Sequence, residues 1–350
     1  MKKYTQHILS GLLPFLFAAT LSAQDIHFTQ FHEAPLTLNP ALAGNFLNKY
    51  RFCLNYKNQW PTAGKGYNTV NASFDMPMFR DPNAGSKKVS YMGAGINLYK
   101  DMAGEANFGA FHGSFNVSGV VPIAVHHQLS LGLAAGVSQR NANINNLQWG
   151  SQFQNGAYDP SISGEPDRLS TAAYPDYSLG FNYEFNTDEE SFQGFSSKKF
   201  NVGYAIIHYN KPKIGVGNFI SDVVYRKKVL HFNGSFDIGG GLRALQPSIA
   251  YIRQGPSKEL IIGFLVRNRK ETEGKFTNLV VPASISYGVY FRLGDAIAPT
   301  IIYSKGNWQL GLSYDINYSS NIVTTRSVGG PELCLKIMPP SRVRFMRKYS

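Results

Sequence analysis

Alternation constrains this chain more than any motif does. In "WQLGLSYDINYS", Trp308 to Ser319, every second residue is large and apolar: Trp308, Leu310, Leu312, Tyr314, Ile316 and Tyr318. Gln309, Gly311, Ser313, Asp315 and Asn317 fill the positions between them. A strand sends successive side chains to opposite faces, so the stretch reads as a strand with one apolar and one polar face. The same period recurs where Leu129, Leu131, Leu133 and Val137 alternate with Ser130, Gly132, Ala134 and Ser138. A soluble sheet turns such an apolar face into a core. An outer-membrane barrel turns it toward lipid and keeps the polar face for the lumen.

Strand length favours the barrel. About fourteen candidate strands fall near 49–58, 67–75, 88–99, 104–119, 127–140, 174–185, 198–210, 228–238, 243–253, 258–268, 280–292, 297–304, 307–318 and 329–338. Most run roughly ten residues, the length a tilted strand needs to cross a bilayer, whereas strands of soluble proteins centre on ~5–6. The expected fold is therefore all-β, a transmembrane antiparallel β-barrel of about fourteen strands with a short N-terminal periplasmic plug segment. The longest connections, 141–173 and 211–227, follow the fifth and seventh strands, and 319–328 follows the thirteenth. With both barrel ends periplasmic, all three lie outside, as long loops should. The 76–87 and 186–197 connections, about a dozen residues each, read as inner turns and break that asymmetry. A soluble secreted sugar-binding sandwich is the rival all-β reading.

Composition bears on this choice at one point. Charged residues make up 16% of the chain, against the ~25% typical of soluble domains, while aromatics reach 13% and glycines number 34. Few charges suit a sheet with one face in hydrocarbon.

The first residues concern export. Lys2 and Lys3 precede the apolar run Ile8 to Leu21, then come Ser22 and Ala23. This pattern predicts a signal peptide over 1–23, cut before Gln24, and an exported chain. A plug or periplasmic segment is expected over 24–48, the barrel over 49–338 and a basic tail over 339–350. The formal net charge is +12, but an exported chain with scattered basic residues does not call for nucleic acid as a partner. In the plug, Asn39 suits a helix N-cap, Pro40 the first helical position, Ala41 the turn, and Gly44 the stop.

Several stretches resemble one family. "QDIHFTQFHEAPLTLNPALAG" (Gln24 to Gly44), "NYKNQWPTAGKGYNTVNASFD" (Asn55 to Asp75), "GAGINLYKDMAGEANF" (Gly93 to Phe108), "LQPSIAYIRQ" (Leu245 to Gln254), "LGLSYDIN" and "GGPELCLKI" resemble, in order, segments of the PorP/SprF family of the type IX secretion system of Bacteroidota. The resemblance covers nearly the whole mature chain. It implies an integral outer-membrane barrel that works with other secretion and gliding components. The implied partner is a secreted cargo protein carrying a type IX C-terminal targeting domain, bound to assist its secretion and surface anchoring. The basic tail "PPSRVRFMRKYS" departs from barrels that end on a strand-terminal aromatic.

No motif for catalysis, a cofactor or a metal emerges. Gly-x-Ser-x-Gly and phosphate-loop patterns are absent, and the histidine spacings do not match a zinc site. An enzyme is therefore not expected. Glu184, Arg267, Arg292, Asp315, Glu332 and Lys336 fall on polar strand faces and are candidate lumen residues. Cys53 and Cys334 share the inward parity of the first and last strands, which places them near each other across the closing seam, with a disulfide as the lesser expectation. Trp149, Phe153, Tyr158 and Phe219 are candidate cargo-facing residues of the long outer loops. The alternative function is a passive channel for hydrophobic small molecules, for which the Asn39-Pro40-Ala41 segment would serve as a hatch.

Overall fold

The computed structural model describes residues 25–62, 65–80, 89–104, 107–141, 147–154, 156–162, 172–191, 194–216, 220–238, 242–269, 283–319 and 326–339. Residues 1–24, where a signal peptide is expected, most of the expected basic tail and Phe219 lie outside the described residues. No described helix is long and apolar enough to cross a membrane.

Fourteen strands close into one antiparallel barrel. They are β1 (Arg51–Gln59), β2 (Tyr67–Met78), β3 (Tyr91–Ala103), β4 (Phe108–Ala124), β5 (His127–Asn141), β8 (Ala172–Ser191), β9 (Gly194–Ile207), β12 (Lys227–Asp237), β13 (Arg243–Gln254), β14 (Ser257–Arg269), β15 (Ala283–Arg292), β16 (Ala296–Lys305), β17 (Trp308–Asn317) and β18 (Val328–Ile337). Two small hairpins, β6 (Phe153–Gln154) with β7 (Ala157–Tyr158) and β10 (Lys213–Val216) with β11 (Ile220–Val223), belong to the two longest connections. The ring closes where β1 pairs with β18, Asn55 opposite Cys334 and Lys57 opposite Glu332. Closure removes the free edges that would otherwise seek partners, and a closed ring has no second packed layer, so the sandwich reading falls.

The barrel is apolar outside and polar inside, the reverse of a soluble protein. Trp308, Leu310, Leu312, Tyr314 and Ile316 of β17 are exposed, while Gly311, Ser313, Asp315 and Asn317 are buried. On β5, Leu131 is 66% and Leu133 63% exposed, yet Ser130 and Ser138 are buried. Such outward apolar rings require a hydrocarbon solvent.

The 186–197 connection is not a loose inner turn. The β8–β9 ladder continues from Asn186 opposite Lys199 to Ser191 opposite Gly194. The run Asn186 to Ser191 carries no apolar alternation, so periodicity gave no sign of a strand there. Backbone pairing continues past the apolar band because ladder bonds do not depend on side-chain polarity.

We call inner the end where Lys49 N–H donates to Pro339 O, and outer the end carrying the 142–171 and 208–226 connections. Residues 25–46 lie within the ring. They bond to β4, β8, β13, β17 and β18, strands that lie all around it. This luminal segment contains a 3₁₀ turn at Phe31–Glu33, one α-helical turn, α1, at Pro35–Leu38, and a second 3₁₀ turn at Pro40–Leu42. Phe31 and Leu38 pack into an apolar patch of the inner wall made by Ala205, Val229, Ala250, Ile261, Leu265 and Tyr290. That patch explains why not every inward position is polar.

Candidate functional site

The lumen is where the chemistry of this chain collects. Asn39 is extended, and its side-chain oxygen accepts from Ala41 N–H, capping the Pro40–Leu42 turn. Its amide donates to Phe181 O at 2.9 Å on β8 and to His231 Nε2 at 3.1 Å on β12. Gly44 ends the segment with φ +60°, a left-handed conformation that glycine adopts without steric cost. Its N–H donates to Asp75 Oδ2, and Asp75 also holds Arg51 at 2.6 Å. The wall makes room with glycines. A Cβ on Gly132 would strike the Pro40–Ala41 peptide, and one on Gly180 would strike the Asn39 side chain.

Buried charges fasten the rest. Glu332 of β18 accepts from Thr29 N–H at 2.7 Å and Gln30 N–H at 2.8 Å. Asp315 of β17 accepts from the Thr29 hydroxyl at 2.9 Å and pairs with Arg292 of β15 at 3.0 Å. Lys57 of β1 bridges Asp315 at 3.5 Å and Glu332 at 3.9 Å, and donates to His27 O. Lys336 reaches Glu33 at 2.6 Å, and Gln309 donates to the other oxygen of the same carboxylate. Burial opposes the ionisation of Glu33, but Lys336 and His32 outweigh it and hold the carboxyl well below the usual range. Exposed ion pairs contribute roughly 0–1 kcal/mol, whereas removing one partner of a buried pair costs about 3–5 kcal/mol. The segment is thus fixed chiefly by charges that cannot be left alone.

A second cluster lies at the outer end. His208, just past β9, bonds Asp176 through Nδ1 at 2.9 Å and Asp25 through Nε2. Asp25 also accepts from Gln254 at 2.9 Å, and Lys227 donates to Ile26 O at 2.8 Å. Burial disfavours the charged imidazole, yet Asp25 and Asp176 overcome it and push His208 up to about 10. Burial likewise opposes ionised Asp25, and His208 with Lys227 more than reverses that effect, holding the carboxyl well below its ordinary range. Beside this cluster, Thr37, Pro40, Tyr99 and His112 border a cavity of about 30 Å3, room for one or two waters.

Of the six candidate lumen residues, Arg292, Asp315, Glu332 and Lys336 face the luminal segment and its ion pairs. Glu184 pairs with Lys199 at 3.2 Å, and Arg267 pairs with Asp237 at 3.6 Å, both near the inner end. Cys53 stands opposite Lys336 and Cys334 opposite Asn55, so the two are on paired strands but offset by two positions. Both thiols are free and buried, and the Cys334 thiol donates to Gln30 Oε1. Lys57, Asp25, His208, Asp176 and the Arg51–Asp75 pair escaped the sequence reading. Lys57 shares strand parity with Cys53 and Asn55, a signal that was available in the alternation. Nothing local marks His208, whose partners are 32 and 183 positions away.

Among the outer residues, Phe153 and Tyr158 oppose each other across the β6–β7 pair with ring centroids 5.5 Å apart, and both are exposed. Trp149 is half-buried and opens the 3₁₀ turn that precedes β6. Among the described residues no group of three or more His, Cys, Asp or Glu is arranged to hold a metal ion.

No curated protein matches the chain. Among solved structures, the chain is similar to BamA from Haemophilus ducreyi lacking POTRA domains 1–3, at 10% identity and TM-score 0.39, covering 83% of this chain and 70% of that one. CdiB from Acinetobacter baumannii follows at 8% identity and TM-score 0.39, covering 83% of this chain and 60% of that one. The beta domain of the Bordetella autotransporter BrkA gives 9% identity and TM-score 0.38, with 84% and 99% covered. Residues 20–336 match the family described as type IX secretion system membrane protein PorP/SprF, a span that takes in the luminal segment and every strand of the barrel to within one residue of its end. The barrel with its apolar exterior and the match along almost its full length agree, and the chain belongs to the PorP/SprF family of type IX secretion system membrane proteins.

Proposed function

We propose that this protein is a non-conducting docking platform of the type IX machinery, residing in the outer membrane. It binds a secreted cargo protein, or that protein's C-terminal targeting domain, at its outer loops, and so assists secretion and surface anchoring. Other secretion components supply the energy and contact its turns.

The observation that carries this reading is the filled lumen. Residues 25–46 act as the plug, held by Glu332, Asp315, Lys336 and Asp75. A barrel whose interior is already packed offers partners its rim rather than a passage. The exposed Phe153–Tyr158 pair, four positions after Trp149 in the same connection, presents aromatic surface of the kind that forms binding hot spots. The alternative of a passive channel for hydrophobic small molecules requires an apolar route. Here the apolar patch of the wall is occupied by Phe31 and Leu38, and the remaining inner wall is rich in Asn, Ser and paired charges.

The test is capture of a purified type IX C-terminal targeting domain by the detergent-solubilised protein. A Phe153→Ala/Tyr158→Ala variant should lose at least tenfold in affinity, in keeping with the ~2 kcal/mol or more that truncating a hot-spot side chain costs, with its heat-dependent gel mobility unchanged. Equal capture by the variant refutes the assignment of the site. Uptake of hydrophobic solutes into liposomes by the unmodified barrel favours the channel.

A further inference from the structure

Three basic residues form a row on the lipid-facing side of the barrel. Lys228 of β12 is directly opposite Arg253 of β13, and Arg253 is directly opposite Lys258 of β14. All three side chains are exposed, while their strand neighbours Lys227, Val229, Ile252 and Gln254 are buried. The row therefore points away from the lumen. Its nearest acidic neighbour in sequence, Glu259, is turned inward and paired with Arg292 and His27. Among the described residues, none of the three basic side chains has an ion-pair partner.

This arrangement is unfavourable by itself. Side chains directly opposite on paired strands stand about 5 Å apart, and like charges so placed repel. Arg226, two positions before Lys228, adds a further exposed guanidinium, stacked over Tyr209 at 4.9 Å. Four positive charges in one place on a face that meets the membrane call for an anion supplied from outside the chain.

The rows beneath say which anion. Immediately inward from the charges along the same strands lie Leu230, Tyr251 and Leu260, again directly opposite one another. Below them come Phe232, Ile249 and Ile262 in the same register. Leu230 is 49% and Ile249 42% exposed. The surface thus runs from a triple positive charge to an aromatic and aliphatic strip. A ligand that matches it carries phosphate at one end and hydrocarbon at the other. The row lies at the end bearing the long loops, which in such barrels faces the cell exterior.

We propose that Lys228, Arg253 and Lys258, with Arg226 above them, bind the phosphates of an anionic glycolipid of the outer leaflet, whose acyl chains lie along Leu230, Tyr251, Leu260, Phe232, Ile249 and Ile262. The proposal rests on the outer-membrane location and is independent of the cargo reading.

The test is native mass spectrometry of the full-length protein in mild detergent, titrated with diphosphoryl lipid A. The Lys228→Gln/Arg253→Gln/Lys258→Gln variant should bind about a hundredfold more weakly, roughly fivefold per charge. Lys100→Gln should bind normally, because Lys100 is an exposed single charge between Val70 and Phe111. A second readout separates a ligand role from a structural one. Arg253→Gln should raise the unfolding temperature in glycolipid-free detergent, where it relieves repulsion, and lower it when glycolipid is present. Equal binding by the triple variant, equal binding of dephosphorylated lipid A, or full competition by inorganic phosphate or polyglutamate would each overturn the proposal.

Discussion

Glu33 and Lys336 meet at 2.6 Å, one on the chain's luminal segment and the other on the last strand of the wall around it. Glu33 is almost fully enclosed, and its second oxygen is met by the Gln309 amide and His32. Lys336→Ala leaves that carboxylate without its main counter-charge. The segment should be destabilised by about 3 kcal/mol, read as protease access to residues 25–46 under conditions where the unmodified barrel resists. The Lys336→Met/Glu33→Gln double variant should recover most of the loss, since no lone charge remains.

The glycines of the wall make a steric prediction. Gly132 faces the Pro40–Ala41 backbone so closely that it tolerates no Cβ in place, and a Cβ on Gly180 would force the Asn39 side chain to move. Gly132→Val should cost about 1–3 kcal/mol through overpacking or expel the segment. Either result appears as a lowered temperature for the heat-modifiable gel shift. Gly119→Ala, where open space surrounds the position, serves as the control and should leave that temperature unchanged.

The outer cluster predicts a pH dependence. His208 has its pKa raised from 6.5 to about 10, so its contribution is complete below pH 6.5 and is lost as pH rises through 10. Asp25 is depressed, so its contribution is present above its ordinary pKa of 3.8 and is lost only in stronger acid. Attachment of the segment at Asp25 should therefore be strongest between about pH 4 and 6.5 and weaken steadily toward pH 10. Protection of residues 25–30 in hydrogen exchange measures it. His208→Gln should flatten the alkaline limb, and an unchanged limb would show that another group controls it.

The cysteines give a labelling prediction. Cys53 and Cys334 are free, buried and offset across the seam. Neither should react with a bulky maleimide in the folded barrel, and both should react in denaturant. Electrophoretic mobility should be the same with and without reductant.

The fourteen strands of the barrel and the face that most of their residues present were legible in the sequence. Alternation is a local property: Leu310 and Leu312 are driven outward and Gly311 and Ser313 inward by a two-residue period that needs no knowledge of neighbours. The same parity marked Arg292, Asp315, Glu332 and Lys336 as inward-facing, and the Asn39-Pro40 pair announced a turn. What each inward residue touches was not legible. Thr29 and Glu332 are 303 positions apart, and Asp25 and His208 are 183 apart. Only ring closure brings them together. The β8–β9 ladder beyond Asn186 was missed for a related reason, because backbone pairing there continues without an apolar period. The basic row belongs to the same class. Lys228, Arg253 and Lys258 are unremarked charges in three separate segments until the register of β12, β13 and β14 aligns them. Side-chain direction is set within a strand, whereas charge partnership is set between strands, and only the closed sheet fixes the latter.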